Sequence, residues 1–139
     1  MFIGQYYHQL ESKGRVSLPK KFREKQVNWV VTRGLDGGLF VFRENDFADK
    51  IKELAARSLT KKKHRDFARL MANQASELKV DKNGRVSLPD YLITFANLKK
   101  ELVIVGSYSY LEIWDRDLYH SYLNKLEKEA EAIAEGMEN

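Results

Sequence analysis

The chain of 139 residues contains no cysteine. Disulfides, thiolate metal sites and cysteine nucleophiles are therefore excluded, and the composition accords with a reducing compartment. Proline is almost as scarce, with two in all. No apolar run approaches the roughly 20 residues that a membrane-spanning helix needs. The opening Met-Phe-Ile-Gly is too short and too uncharged for a secretory leader, so a cytoplasmic protein is expected. The three histidines, His8, His64 and His120, are dispersed and show no His-x-x-x-His spacing, so no metal site is expected. Gly34-Leu-Asp-Gly-Gly38 is glycine-rich but lacks the lysine and following helix of a phosphate loop, and reads as a hairpin turn. No Gly-x-Ser-x-Gly elbow accompanies any serine. Neither a catalytic residue nor a cofactor is expected.

Both prolines lie in a repeat. Gly-Arg-Val-Ser-Leu-Pro occurs at positions 14–19 and again at 84–89, 70 positions on. An acidic residue stands four positions before the arginine each time, in Glu11-Ser-Lys-Gly-Arg15 and Asp81-Lys-Asn-Gly-Arg85. Apolar runs follow both copies: Trp29 to Gly34 with Leu39 to Phe42, then Leu102 to Gly106 with Leu111 to Trp114. The chain is thus two related halves, with first and second repeats at 1–75 and 76–139. At 43% hydrophobic and 12% aromatic residues it can bury a sizeable core. Halves of about 70 residues are marginal alone, so one shared core is expected.

Each half reads as strand, tight loop, strand, short helix, hairpin, helix. Strands are expected at Tyr6 to Leu10, Arg15 to Leu18, Leu78 to Asp81 and Arg85 to Leu88, and about two helical turns after each proline, at Lys20 to Lys25 and Asp90 to Ala96. Period-two alternation puts Val16, Leu18, Val86 and Leu88 on the core face, and Arg15, Ser17, Arg85 and Ser87 on the outer face. Two amphipathic helices separate the halves, with stripes Phe47-Ile51-Leu54 and Phe67-Leu70-Met71-Gln74. A last helix, from about Asp117 to Ala134, carries Leu118, Tyr122, Leu126, Ala130 and Ile133. Its other faces are mostly charged.

The net charge of +4 conceals an asymmetry: residues 1–111 hold 21 Lys+Arg against 12 Asp+Glu, whereas 112–139 hold 3 against 8. A basic body suggests a polyanionic partner. A hairpin tip with an outward arginine, a lysine beside it and a glycine that admits close backbone approach suits a DNA groove or a phosphate. The acidic residue, reaching back across the hairpin, would hold the guanidinium in one orientation. One such pair reads more simply as an exposed ion pair of little energetic consequence. Recurrence of the spacing together with Val-Ser-Leu-Pro favours function. Two rivals remain: a scaffold or nonspecific nucleic-acid-binding protein, which the family resemblance below would make ring-forming, and an enzyme using Ser17 and Ser87.

The two loops, the opening Met-Phe-Ile-Gly, and Leu-Glu-Ile-Trp before a final acidic helix resemble the MraZ family over essentially the whole chain. The family motif is an aspartate, three residues, then arginine, usually Asp-x-Lys-Gly-Arg. This chain departs from it at Glu11 and at Asn83. The resemblance implies an α+β fold of the AbrB type, a swapped-hairpin β-barrel pseudo-dimer of two interleaved half-repeats with peripheral helices. It also implies a transcriptional regulator, associated with the nucleoid, that acts at the promoter of a bacterial division and cell-wall gene cluster. Its partners would be double-stranded DNA carrying direct repeats and further copies of itself, assembled as a homo-oligomeric ring. By carry-over Arg15 and Arg85 read DNA, with Lys13, Lys20, Lys82 and Asn83 beside them, while Glu11, Asp81, Gly14 and Gly84 orient the loops.

Overall fold

The computed structural model describes residues 1–23 and 27–137. The first half runs β1 (Gln5–Gln9), a 3₁₀ turn (Ser12–Gly14), β2 (Arg15–Ser17), a second 3₁₀ turn (Lys20–Phe22), β3 (Trp29–Arg33), β4 (Leu39–Arg43), α1 (Glu44–Ala55) and α2 (Lys62–Asn73). The second runs β5 (Ser76–Leu78), β6 (Arg85–Ser87), α3 (Asp90–Phe95), β7 (Glu101–Gly106), β8 (Leu111–Asp115), α4 (Arg116–Lys128) and α5 (Ala130–Gly136).

Six strands form one antiparallel sheet in the order β1-β7-β8-β4-β3-β5, and β2 pairs with β6 in a separate ribbon. Each half keeps one hairpin to itself and exchanges its other strands with its neighbour. β1 lies on β7, with Tyr7 opposite Val103, and β5 lies on β3, with Glu77 opposite Val30. The β3–β4 and β7–β8 hairpins meet where Phe40 faces Glu112.

The near-continuous apolar runs of β3 and β7 follow from both faces of the sheet being covered. On one face Trp29, Val31, Leu39, Val41, Leu102, Ile104, Leu111 and Ile113 join Val16, Leu18, Val86, Leu88 and Leu92 in a single buried cluster. Burying an aliphatic side chain of this size stabilises by about 1.5–3 kcal/mol relative to exposure, so the ribbon is anchored by its inward residues. On the other face Trp114 meets Tyr119 and Tyr122 of α4, each at 5.4 Å between ring centroids. Phe42 meets Phe47 of α1 at 5.6 Å, and the buried Thr32 hydroxyl donates to the Met71 carbonyl of α2 at 2.9 Å.

Several expectations change. Among the described residues no strand pairing closes the sheet and ribbon into a barrel. β2 and β6 are three residues long and bond to each other, and the proline two positions after each lacks an amide to extend the ladder. Lys20–Phe22 makes one 3₁₀ turn rather than two helical turns. Phe22 is drawn into the core edge-on to Phe2 and Tyr6, and Arg23 beyond it is extended; the remainder of the expected helix falls at 24–25, outside the described residues. The final helix is interrupted at Glu129 (φ −109°, ψ 9°), with no proline or glycine to account for it. Leu70, Leu118 and Ile133, expected in apolar stripes, are exposed.

Candidate nucleic-acid interface

The ribbon sets the geometry of the two loops. Val16 is opposite Val86, Arg15 opposite Ser87 and Ser17 opposite Arg85. Directly opposed residues in an antiparallel pair project to the same side. With Val16 and Val86 buried inward, the two arginines and two serines share the outer face. The ribbon is extended by reciprocal bonds between the halves, Leu18 N–H to the Gly84 carbonyl at 3.0 Å and Leu88 N–H to the Gly14 carbonyl at 2.8 Å. Both glycines have positive φ, +70° at Gly14 and +78° at Gly84. A Cβ on Gly14 would stand 2.7 Å from the Leu88 carbonyl oxygen, and one on Gly84 would stand 2.2 Å from the Arg23 guanidinium. Both positions therefore require glycine on conformation, and Gly14 also on space, because its obstacle is backbone whereas that of Gly84 is the movable end of a long side chain.

The second loop is built around Asp81. Its carboxylate accepts from the amides of Asn83 at 2.8 Å and Arg85 at 2.9 Å, and from Arg85 Nε at 3.2 Å. The Arg85 amide does most to hold this carboxyl below the ordinary aspartate range, against an upward push from desolvation; the Asn83 amide and the Arg85 charge add to the lowering. Arg85 Nη1 also donates to Glu11 Oε1 at 3.2 Å, across the ribbon from the first half. The Arg85 side chain is 19% exposed and lies between two carboxylates.

The first loop differs. Arg15 donates through Nε to the Ser12 carbonyl at 3.1 Å and through Nη2 to Ser12 Oγ at 3.2 Å. The expected Glu11–Arg15 ion pair is not formed. Glu11 bonds Arg15 through the backbone alone, amide to carbonyl at 2.8 Å, and turns its carboxylate to Arg85. Its side chain is one methylene longer than that of Asp81, which folds back onto its own loop. Between them, Lys13 takes a left-handed conformation (φ 62°) and is exposed at the tip.

Lys82 and Asn83 are exposed at the second tip, and Lys20 is exposed just after Pro19. The expected residues thus sit around one ribbon. Two neighbours were not among them. Ser12 positions Arg15, and Arg23 lies against Gly84 while donating from Nε to the Leu18 carbonyl at 2.7 Å. The repeat offset of 70 contained a signal for the second: Arg23 occupies the position of Ile93, whose Cδ1 lies 3.1 Å from a Cβ on Gly14. His8, His64 and His120 are not brought together, and no group of three or more His, Asp or Glu among the described residues could hold a metal ion.

Comparison with known proteins places these loops in a wider set. A family model described as "MraZ protein, putative antitoxin-like" matches twice, at residues 1–70 and 71–138. A relative from Halothermothrix orenii, described as "Transcriptional regulator MraZ", is 40% identical over 140 aligned positions that cover 100% of this chain and 98% of the relative. With the family model matched in both halves and a relative matched along its full length, the chain belongs to the MraZ family.

Proposed function

We propose that the protein is a sequence-specific, DNA-binding transcriptional regulator without catalytic activity or cofactor. It reads double-stranded DNA with the outer face of the β2–β6 ribbon. The observation that carries this reading is the register that sets Arg15 and Arg85 together on that face, opposite the buried Val16 and Val86. A two-stranded ribbon fits the major groove, about 12 Å wide, where an arginine can donate to guanine O6 and N7. Lys13, Lys20, Lys82 and Asn83, all exposed around the ribbon, contact phosphates and fix the docking register. Glu11, Asp81, Gly14 and Gly84 keep the loops in shape. The description of the Halothermothrix orenii relative as a transcriptional regulator supports the assignment.

The strand exchange supports an AbrB-like swapped-hairpin arrangement in which repeats 1–75 and 76–139 act as a pseudo-dimer. One ribbon offers a small contact set. Promoter direct repeats read by a homo-oligomeric ring would raise apparent affinity by about 10²–10⁴ without new contacts. The protein then works in the cytoplasm on the nucleoid. A gel shift on the DNA upstream of its own gene, with excess competitor, tests the reading: a specific complex is expected, and Arg15→Ala with Arg85→Ala together should abolish it beyond any loss of folded fraction seen by circular dichroism. Equal binding to a scrambled duplex would refute it and leave a nonspecific binder or scaffold.

A further inference from the structure

The two loops share a motif but not an electrostatic setting. Arg85 is bonded to the carboxylates of Asp81 and Glu11, both at 3.2 Å, so the cation is outnumbered where it stands. Arg15 has no carboxylate partner among the described residues, and its two bonds go to the neutral carbonyl and hydroxyl of Ser12. Two differences between the copies produce this. Asp81 is short enough to accept from its own loop's amides, whereas Glu11 is long enough to cross to the other half. Ser12 occupies the position of Lys82, whose side chain has no acceptor to match the Ser12 hydroxyl.

We propose that the loops divide the work, with Arg15 determining sequence specificity and Arg85 acting as a positioning residue that ties the two halves together. This rests on the DNA-reading function above. For Arg85 to reach a base edge it would have to leave both ion pairs, exposing two carboxylates to the phosphates, a like-charge approach that opposes binding. Arg15 gives up only neutral hydrogen bonds and brings a charge that no carboxylate among the described residues compensates. Its Nη1 has no hydrogen-bond partner among the described residues, and Ser12 holds the fork without neutralising it. Lys13 at the same tip adds to the positive field, whereas the second loop has Lys82 beside two acids.

The test is a set of anisotropy titrations on the full chain, comparing the duplex from upstream of its own gene with a scrambled duplex over a range of salt concentrations. Arg15→Ala is expected to reduce the ratio of specific to nonspecific affinity by about 10-fold or more, the lower part of the range for one base-reading pair. Arg15→Lys keeps the charge, and so the salt dependence, but should lose most of that ratio because it lacks the fork. Arg85→Ala should reduce the ratio by several-fold less than Arg15→Ala does, while lowering stability. If that variant does not fold, Arg85→Lys and Glu11→Gln carry the same test. Both should retain the ratio, and Glu11→Gln should raise affinity for both duplexes by removing a negative charge from the face. Equal loss of discrimination in the Arg15 and Arg85 variants would overturn the division of work and leave DNA reading intact. Absence of discrimination by the wild type would overturn both.

Discussion

Arg23 and Gly84 make the most quantitative prediction, because one substitution forces the other residue to move. Gly84→Ala places a methyl group in a left-handed residue (φ +78°), which costs an L-amino acid about 1–2 kcal/mol. Its Cβ also falls 2.2 Å from Arg23 Nη1, inside any tolerable contact, so the guanidinium swings away and loses its 2.7 Å bond to the Leu18 carbonyl. That bond, half-buried and charge-assisted, contributes about 1–1.5 kcal/mol. The single variant should therefore lose about 2–3.5 kcal/mol, and Arg23→Ala alone about 1–1.5 kcal/mol, from the same contributions. Once Arg23 is truncated nothing remains to collide with, so the double variant should lose only about 2–3.5 kcal/mol, leaving a coupling of about 1–1.5 kcal/mol. Gly14→Ala is the control. It meets the Leu88 carbonyl, a backbone atom within the ribbon, at 2.7 Å. Its cost should add to that of Arg23→Ala within about 0.5 kcal/mol. Urea denaturation followed by circular dichroism on the six proteins, including the wild type, measures both cycles. An additive Gly84–Arg23 cycle, or equal coupling in the Gly14 cycle, would refute the contact that places Arg23 at the second loop.

Leu18, fully buried beneath the ribbon, should cost about 2–5 kcal/mol when changed to alanine, and specific DNA binding should fall with the folded fraction in a parallel titration. His8 has its pKa lowered by burial and, secondarily, by the charge of Arg23, so the unfolded chain takes up its proton at a higher pH. Stability should then rise with pH up to about 6.5, the ordinary histidine value. In denaturation series from pH 5 to 7, His8→Gln should flatten that rise, and an unchanged slope would exclude His8 as its source. The Asp81 carboxyl is held low chiefly by the Arg85 amide. Its contribution is present above the unfolded value of about 3.9 and lost as pH falls through the lower folded value, so Asp81→Asn should be less stable than wild type at neutral pH and approach it in acid.

Much of this molecule is written in local pattern. Alternation over four residues assigned Val16 and Leu18 inward and Arg15 outward, because in a strand that choice depends on each residue's own position and on the burial of its neighbours. Glycine before each arginine marked the positive-φ turns for the same reason, since the conformational demand is met by a single residue. Helix periodicity located α1 and α2 and the start of α4, although Leu70 and Leu118 turned outward because a stripe says which residues can be buried, not how far the neighbouring layer extends.

What the sequence left open are relations between residues about 70 positions apart. Nothing local distinguishes β1 pairing within its own half from β1 pairing with β7, since both satisfy the same alternation; the choice is made by the shared core and by strand register. Equal spacing likewise suggested that Glu11 serves Arg15 as Asp81 serves Arg85. The cross-half register instead sets Arg85 within 3.2 Å of Glu11, and one methylene of side-chain length decides which acid folds back and which reaches across. The sequence by itself determined two loops, their arginines and the face on which they stand. Only the tertiary structure decided that the loops are unequal, because long charged side chains choose partners through space after the halves have interleaved.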